Sequence, residues 1–394
     1  MVRIEHVTKR FGGITAVDRA ALDKAVQRTG ARGHLSMTEM LKTTTADIVV
    51  LTTPSGLHPE QAIEVAESGR HVMTEKPMAT RWHDGLRMVR ACDEAGVRLF
   101  VVKQNRRNAT LQLLKRAVEQ KRFGKIYAVS VNVFWTRPQE YYDSAKWRGT
   151  WEFDGGAFMN QASHYVDLLD WLIGPIESIQ SFMATLERDI EVEDSGVLSI
   201  RWRSGALGSM NVTMLTYPKN LEGSITILGE KGTVRIGGVA VNEIQHWEFA
   251  EKLPEDEQIA TANYETTSVY GFGHPLYYDN VIKVMRGEAE PETDGREGLK
   301  SLETLIAAWP DDVADYTRRL AAVALHSPDE RSAETLAAEG VLHLRQAGPE
   351  DVVGVLDNLT SRIGGRLEPP DAGSSSAASS TSRQRTMIRR PAPV

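Results

Sequence analysis

Between residues 19 and 104, short apolar segments alternate with amphipathic ones, and this alternation constrains the fold most strongly. The pattern predicts helices over 19–29, 59–68 and 82–94, and strands over 47–51, 71–74 and 97–102. A further short helix should begin at Ser36, because Ser36 and Glu39 have the spacing of a capping box. Strands that alternate with helices at this spacing predict a parallel sheet with crossover helices.

Ligands of such a sheet gather at the carboxyl ends of its strands. The segments that follow the three predicted strands are therefore the first place to look for a site. These segments are 52–58, 75–77 and 103–106.

From residue 126 the pattern changes to successive strand-like segments joined by short turns. The predicted strands are 126–135, 176–183, 196–202, 206–215, 224–228, 233–236 and 242–249. One helix over 158–172 interrupts them, and helices return over 276–286 and 295–308. The predicted fold class is α/β, with a Rossmann-like parallel sheet followed by an α+β domain whose open sheet is mostly antiparallel.

This pattern divides the chain into four regions. We expect a Rossmann-like domain over 1–124 and a second domain over 125–308. A helical extension of unknown role is expected over 309–362. The segment 363–394 is poor in apolar residues, which predicts a disordered tail.

Composition argues against several classes of protein. The net charge of −7 is unfavourable for a nucleic-acid-binding surface. The single cysteine, Cys92, cannot support a disulfide framework and is expected to be a buried, inert thiol. No apolar run approaches the roughly 18 residues of a membrane span, and no signal-peptide core follows the N-terminus. We therefore expect a soluble, cytoplasmic protein with no membrane contact.

Two motifs carry a family resemblance: Glu75-Lys76-Pro77, and the segment from Gly155-Gly156 to His164. With them, residues 20–306 resemble the Gfo/Idh/MocA family of NAD(P)-dependent sugar oxidoreductases. Within it, the chain is most similar to the UDP-N-acetylglucosaminuronate 3-dehydrogenases of bacterial surface-polysaccharide biosynthesis. This closer resemblance rests on Lys103-Gln104-Asn105-Arg106, Trp135-Thr136-Arg137-Pro138, Lys146-Trp147-Arg148-Gly149-Thr150-Trp151, the segment 154–164 and Gly271-Phe272-Gly273-His274-Pro275.

The resemblance implies a Rossmann domain that binds NAD and a homo-oligomer, dimeric or tetrameric, built through the sheet faces. It implies oxidation of the C3 hydroxyl of a UDP-N-acetyl-hexuronic acid in lipopolysaccharide (O-antigen) biosynthesis. Two alternatives remain: a relative with impaired NAD binding and no catalysis, or an oxidoreductase acting on another sugar or polyol.

The N-terminus departs from the family. Family members begin with a strand and a G-x-G-x-x-G turn that cradles the dinucleotide pyrophosphate, and this chain has no such turn. Its first eighteen residues instead resemble the opening of an ABC-transporter ATPase subunit, but no G-x-x-x-x-G-K-[ST] phosphate loop follows. Residues 2–7 could insert as a replacement strand, with Phe11-Gly12-Gly13 as an imperfect turn.

The candidate catalytic residues are Lys76 and His164. A lysine beside the positive nicotinamide in a partly desolvated pocket has a lowered pKa and can accept a proton from the reacting hydroxyl. His164 lies four residues after Asn160, so both project from one helix face. Family members often carry Asp at the Asn160 position, and the amide here can bind a hydroxyl but cannot act as a base. Taken alone, Lys76 could be a surface lysine and His164 a core histidine.

The resemblance also implies binding residues. The cofactor-binding set is Asp18, Thr53, Pro54, Ser55, His58, Glu75, Lys76 and Gln104. Asp18 would meet the adenosine ribose hydroxyls, and its charge favours NAD over NADP. Positive charges around a pocket mouth suit the diphosphate and carboxylate of a sugar nucleotide, although each charge singly is more typical of solvated surface. The substrate-binding set is Lys103, Arg106, Arg137, Lys146, Trp147, Arg148, Asn160, His164, Tyr217 and His274.

No metal is expected. His164 and Asp167 lie three residues apart, but no third group of ligands accompanies them in the sequence.

Overall fold

The structure is a computed structural model that describes residues 10–11, 14–15, 19–266 and 269–309. A short hairpin comes first, formed by β1 (Arg10–Phe11) and β2 (Ile14–Thr15), which pair antiparallel with each other. Three parallel strands follow in the spatial order β3-β4-β5: β3 (Ile48–Leu51), β4 (His71–Thr74) and β5 (Leu99–Val101). The predicted parallel sheet is confirmed.

The helices of this region are α1 (Arg19–Thr29), α2 (Met37–Thr43), α3 (His58–Glu67) and α4 (Trp82–Glu94). Ser36 caps α2, since its hydroxyl accepts a hydrogen bond from the Glu39 amide at 3.1 Å. Pro59 lies in the first turn of α3, where its missing amide hydrogen costs nothing. Helix α4 buries Cys92, and burial raises the pKa of its thiol to about 12, so this cysteine is an inert part of the core.

The outer edge of β3 pairs with no strand among the described residues, because the sheet runs β3-β4-β5 and ends there. Val50 of β3 is accordingly 39% exposed, whereas an interior strand of a parallel sheet is normally covered on both faces. The expected replacement strand 2–7, the glycines 12–13 and Asp18 lie outside the described residues. Phe11 is described, and it pairs with Ile14 in the hairpin.

The second sheet has seven strands in the order β12-β11-β10-β6-β9-β8-β7. Only the β6–β9 pair is parallel, and the other five pairs are antiparallel, as predicted. The strands are β6 (Ile126–Phe134), β7 (Ile176–Ala184), β8 (Ser195–Trp202), β9 (Leu207–Thr213), β10 (Glu222–Gly229), β11 (Gly232–Gly237) and β12 (Glu243–Phe249).

The remaining helices are α5 (Ala109–Glu119), α6 (Gln139–Asp143), α7 (Ser163–Leu168), α8 (Ile259–Ala262), α9 (Gly273–Met285) and α10 (Gly295–Ala307). The single helix predicted over 158–172 is divided, because α7 is flanked by wider helical turns at Ala157–Gln161 and Leu169–Ile173. Helix α5 was not predicted, although Leu111, Leu114 and Ala117 carry its apolar spacing and are buried.

The two faces of the large sheet differ. One face is buried in the core and includes Val131, Ile200, Trp202 and Ile227. The other face exposes the apolar side chains of Phe182, Val197, Leu207 and Leu228. Phe182 and Val197 are direct partners across β7 and β8, so they form one exposed patch.

Helices α9 and α10 return to the first sheet and close one side of the site. The Tyr277 hydroxyl of α9 donates to the Val101 carbonyl at 2.9 Å, and the Val101 amide donates to the Thr293 carbonyl at 3.1 Å. In α10, a side chain at Gly298 would lie 2.6 Å from Val101, so only glycine permits this close packing. The predicted boundary between 124 and 125 stays a prediction, as do the assignments for 309–362 and 363–394, which lie outside the described residues except for Trp309.

Candidate active site

Lys76 lies just beyond the end of β4, and its side chain reaches the helical segment Ala157–Gln161. Its ammonium donates to the backbone carbonyl of Asn160 at 2.7 Å and lies 3.5 Å from the Asn160 side-chain oxygen. Burial lowers the pKa of Lys76 to about 8; Glu75 and Asp154 oppose this shift. About a tenth of this amine is therefore neutral at pH 7, far more than for a free lysine side chain, and can take a proton.

His164 lies in α7 and is 6% exposed. Its Nε2 is 2.8 Å from the side-chain nitrogen of Gln104, which can only donate, so Nε2 accepts and the ring proton resides on Nδ1. Burial holds the pKa of His164 well below its usual value, and the positive charges of Lys76, Lys103 and His274 lower it further. The imidazole is therefore neutral at pH 7 and close enough to Lys76 to sense its charge.

Asn160 connects these two groups. Its carbonyl accepts from Lys76, and its side-chain amide donates to Asp154 Oδ1 in a short hydrogen bond. Asp154 is buried, and its Oδ2 accepts from the Gly149 amide at 2.7 Å. Asp154 was not among the predicted site residues, although it begins the 154–164 motif; the structure shows that it orients the Asn160 side chain.

Glu75 pairs with His274, which lies at the start of α9. The distance between His274 Nε2 and Glu75 Oε1 is 3.4 Å. Burial opposes ionisation of Glu75, but His274 and Lys76 outweigh it and hold the pKa of this carboxyl below its usual value. A carboxylate therefore lies directly beside the Lys76 ammonium.

The structure places Lys103 and Arg106 in a buried ion cluster, and their expected contact with the substrate stays a prediction. Arg106 donates to both carboxylate oxygens of Asp167 at 2.7 Å and to Glu297 at 3.2 Å. Lys103 is 2% exposed and lies 2.5 Å from the Ser301 hydroxyl and 3.6 Å from Asp167. Both cations are committed to a buried ion cluster instead of lining an open mouth, a pairing that the sequence does not reveal.

The cluster of Lys103, Arg106, Asp167 and Glu297 fixes α7, because Asp167 is three residues beyond His164. Burial opposes ionisation of Asp167, but Arg106 and Lys103 outweigh it and keep the pKa of this carboxyl below its usual range. Breaking such a pair leaves an uncompensated buried charge. The cluster therefore fixes the position of His164 by anchoring α7 through Asp167.

Two other predicted cations stack on aromatic rings. The Arg148 guanidinium lies 4.2 Å from the Tyr141 ring centre and 4.5 Å from that of Trp147. Arg137 lies 5.3 Å from the same Tyr141 ring. Tyr141, which was not predicted, thus connects both arginines. Planar guanidinium groups held in this way suit a phosphate or carboxylate ligand.

Lys146 and Tyr217 are exposed, and Tyr217 is 92% accessible. Within the described residues, neither side chain makes a hydrogen bond or an ion pair. Their assignment to substrate binding stays a prediction.

Residues predicted to line the cofactor cluster at the end of β3. His58 is 1% exposed, and its two ring nitrogens lie 3.0 Å from the Pro77 carbonyl and 2.9 Å from the Thr53 carbonyl. It connects the ends of β3 and β4, and the expected contact of its ring with a cofactor stays a prediction. The Thr53 hydroxyl donates to Gln61 at 2.6 Å, and Pro54 and Ser55 are buried.

The described residues fit the nicotinamide end of a dinucleotide. Gln104 follows β5, and its side-chain oxygen is buried without a hydrogen-bond partner in the described structure, so a carboxamide donor would satisfy it. With Glu75 and Lys76 it lies at the carboxyl ends of the parallel strands. The adenosine end would need residues before 19, whose side chains lie outside the described part.

Among the described residues, no group of three or more His, Cys, Asp or Glu side chains could hold a metal ion. A cavity of about 1090 Å³ is lined by Glu222, Val239, Asn242, Glu243, Glu265 and Phe272 among others, none of them a predicted site residue.

Similarity to known proteins decides the family. Residues 4–103 match the description "Oxidoreductase family, NAD-binding Rossmann fold", and residues 115–312 match "Oxidoreductase family, C-terminal alpha/beta domain". The chain belongs to the Gfo/Idh/MocA oxidoreductase family. The expected fold class and the NAD-binding Rossmann domain are thereby confirmed.

Two similar solved structures are WlbA dehydrogenases, each in complex with NADH and UDP-GlcNAcA. The enzyme from Chromobacterium violaceum is 77% identical, with a TM-score of 0.71 over 74% of this chain and 83% of that one. The enzyme from Bordetella pertussis is 72% identical, with a TM-score of 0.72 over 74% and 84%.

A curated relative, levoglucosan dehydrogenase from Pseudarthrobacter phenanthrenivorans, is more distant. It is 24% identical over 50% of this chain, and the match covers 57% of the length of that protein.

In the described part of the chain, no helix combines the length and apolar character that crossing a membrane requires.

The lowered pKa of Lys76 predicts an unusual reactivity. Acetylation of the Lys76 amine should reach half its maximal rate near pH 8, against about 10.4 for a free lysine side chain, because burial disfavours the ammonium. Quantitative mass spectrometry of the modified peptide across pH measures this. Since the Glu75 charge raises the pKa of Lys76, E75Q should move the midpoint lower. An amine titrating like the free side chain would contradict this account.

Proposed function

We propose that this chain oxidises the C3 hydroxyl of a UDP-N-acetyl-hexuronic acid with NAD. The main support is the convergence of Lys76, Asn160 and His164 at the carboxyl ends of the parallel strands. The WlbA structures, at 77% and 72% identity, are complexes with NADH and UDP-GlcNAcA, which favours this substrate class.

In the proposed reaction, the neutral Lys76 amine accepts the proton of the C3 hydroxyl. NAD, when bound, supplies the acceptor for the hydride that leaves C3, so the products are a 3-keto sugar, NADH and a protonated Lys76. His164 stays neutral, and with Asn160 it positions the hydroxyl by hydrogen bonds. The Asn160 carbonyl, already 2.7 Å from the Lys76 nitrogen, holds the ammonium that forms.

Charges farther out suit the rest of the substrate. Arg137 and Arg148, held against Tyr141, are the proposed contacts for the diphosphate or the carboxylate. Lys103 and Arg106 act indirectly through Asp167 and α7. Surface-polysaccharide biosynthesis in the cytoplasm is the proposed setting, and a buried, reduced Cys92 is ordinary there.

Replacing Lys76 tests the proposal. K76M should lower kcat by about 10²–10⁴-fold, because it removes the general base, measured as NADH absorbance with NAD and UDP-GlcNAcA. K125M, which replaces an exposed lysine, serves as the matched control and should keep wild-type kcat. In wild type, kcat/KM should rise with pH up to about 8 and then level off, since the amine form becomes dominant there. No NADH and no keto product from wild type, even with a 2-oxo acid as hydride acceptor, would contradict the proposal.

The alternative function is that of a sugar-nucleotide-binding relative that cannot hold NAD. The observation that favours it is the absence of a G-x-G-x-x-G turn, together with the unpaired edge of β3 among the described residues. Such a chain would retain the arginines at Tyr141 but lose the pyrophosphate cradle.

Calorimetric titration with NAD separates the two functions. We expect binding that is weaker than that of a WlbA enzyme by about tenfold or more, because several charge-assisted hydrogen bonds to the pyrophosphate are missing. The WlbA dehydrogenase from Bordetella pertussis, measured in the same buffer, is the reference. Equal affinity would show that another segment replaces the glycine turn, and no detectable heat would support the non-catalytic relative.

The exposed face of the large sheet supports a second proposal, a homo-oligomer, dimeric or tetrameric. Phe182, which is 82% exposed, and Val197, which is 46% exposed, pair across β7 and β8, and two such faces can pack about 10 Å apart. In sedimentation velocity, V197D should shift the protein toward monomer, because it places a charge in the interface. L186D, at an exposed leucine outside the strands, is the control. A wild-type monomer, or an unchanged V197D oligomer, would contradict the proposal.

A further inference from the structure

Glu193 is a buried carboxyl that the proposed reaction does not use. It lies two residues before β8, is 5% exposed, and lies against the turn that leads into α7. The backbone carbonyl of Glu193 accepts from the Ala157 amide at 3.0 Å, and its side-chain Oε1 accepts from the Phe158 amide at 3.0 Å. One residue thus binds two consecutive amides at the start of the segment that carries Asn160.

The glycine turn is shaped around this carboxyl. Gly156 has φ +89°, a conformation that favours glycine, and a side-chain carbon there would lie 2.1 Å from Glu193 Oε2. Neither partner can be enlarged without moving the other. The acid at 193 and the Gly155-Gly156 turn therefore form one packing unit.

This packing unit lies immediately before the segment that carries Asn160 and His164. Two residues beyond Phe158, the Asn160 carbonyl accepts from Lys76, and four residues later His164 meets Gln104. We infer that Glu193 is a positioning residue, which fixes Asn160 and His164 against Lys76 through its hydrogen bonds to the backbone of Ala157 and Phe158. The inference rests on the proposed function for its kinetic consequences, but not for its structural ones.

The protonation state of Glu193 follows from its surroundings. Burial raises the pKa of Glu193 to about 8. The Phe158 amide opposes this shift, while the carboxylates of Asp154, in the loop before Gly155, and of Asp194, the next residue along the chain, add to it. Glu193 Oε2 has no hydrogen-bond partner among the described residues, as suits a neutral carboxylic acid better than a carboxylate.

A raised folded-state pKa has a definite sign. Between about pH 4.5 and 8 the folded chain holds a proton on Glu193 that the unfolded chain has lost, so stability falls as pH rises through this window. Removing the titrating group while keeping the acceptor should abolish this part of the pH dependence.

The test compares E193Q, which keeps the acceptor oxygen and cannot ionise, with E193L, which loses the acceptor. The control is E177Q, at an exposed glutamate on β7. We expect E193Q to keep kcat within about threefold, and E193L to lose about tenfold or more while its KM for NAD changes little, since misplacement of reacting groups lowers kcat. Wild-type kcat in E193L would overturn the inference.

Two readouts are independent of catalysis. The pH midpoint of Lys76 acetylation should shift by about half a unit or more in E193L and stay unchanged in E193Q, because only E193L releases the Asn160 carbonyl. Thermal unfolding of E193Q should lack the decline in stability between about pH 5 and 8 that the raised pKa of Glu193 predicts for wild type. If E193L does not fold, an unchanged decline in E193Q overturns the inference. If wild type is inactive, the proposed function fails, and these two readouts still decide the role of Glu193.

Discussion

The hydrogen bond from the Lys76 ammonium to the Asn160 carbonyl is the contact on which the rest of the site depends. It joins the end of a parallel strand to the helical segment Ala157–Gln161 at 2.7 Å. The amine is buried there, and burial lowers its pKa to about 8. A neutral amine needs burial, and a buried ammonium needs an acceptor. In the proposed reaction, the same contact would therefore provide both the base and the acceptor that holds its proton.

Two buried clusters keep that contact in register from opposite ends of the segment 157–168. At its start, Glu193 and the Gly155-Gly156 turn set the first amides. At its end, Asp167 accepts a hydrogen bond from Arg106 and forms an ion pair with Lys103. The positive charge of Lys103 also helps to keep His164 neutral. Lys103 and Arg106, which the family resemblance assigned to the substrate, thus bind a residue of α7 in this structure.

Local pattern was sufficient for much of the fold. The helix over 82–94 and the strand over 71–74 match their predicted bounds, because burial on one helical face or in a parallel strand leaves a period in the sequence. Family motifs singled out Lys76 and His164, and the structure holds both beside Asn160 or Gln104, but their catalytic roles stay a prediction. The pairings of Arg106 with Asp167 and of Glu193 with Phe158 could not be predicted. The first joins residues 61 positions apart and the second residues 35 positions apart, and no local period in the sequence records such a contact.

The central claim is that a buried amine removes the proton while hydride leaves C3 of the sugar. The most direct test is to supply UDP-GlcNAcA deuterated at C3, together with NAD, and to follow the label by mass spectrometry. The account predicts deuterium in the reduced nicotinamide from wild type and its near-absence with K76M. Unlabelled NADH, or equal labelling by K76M, would contradict it.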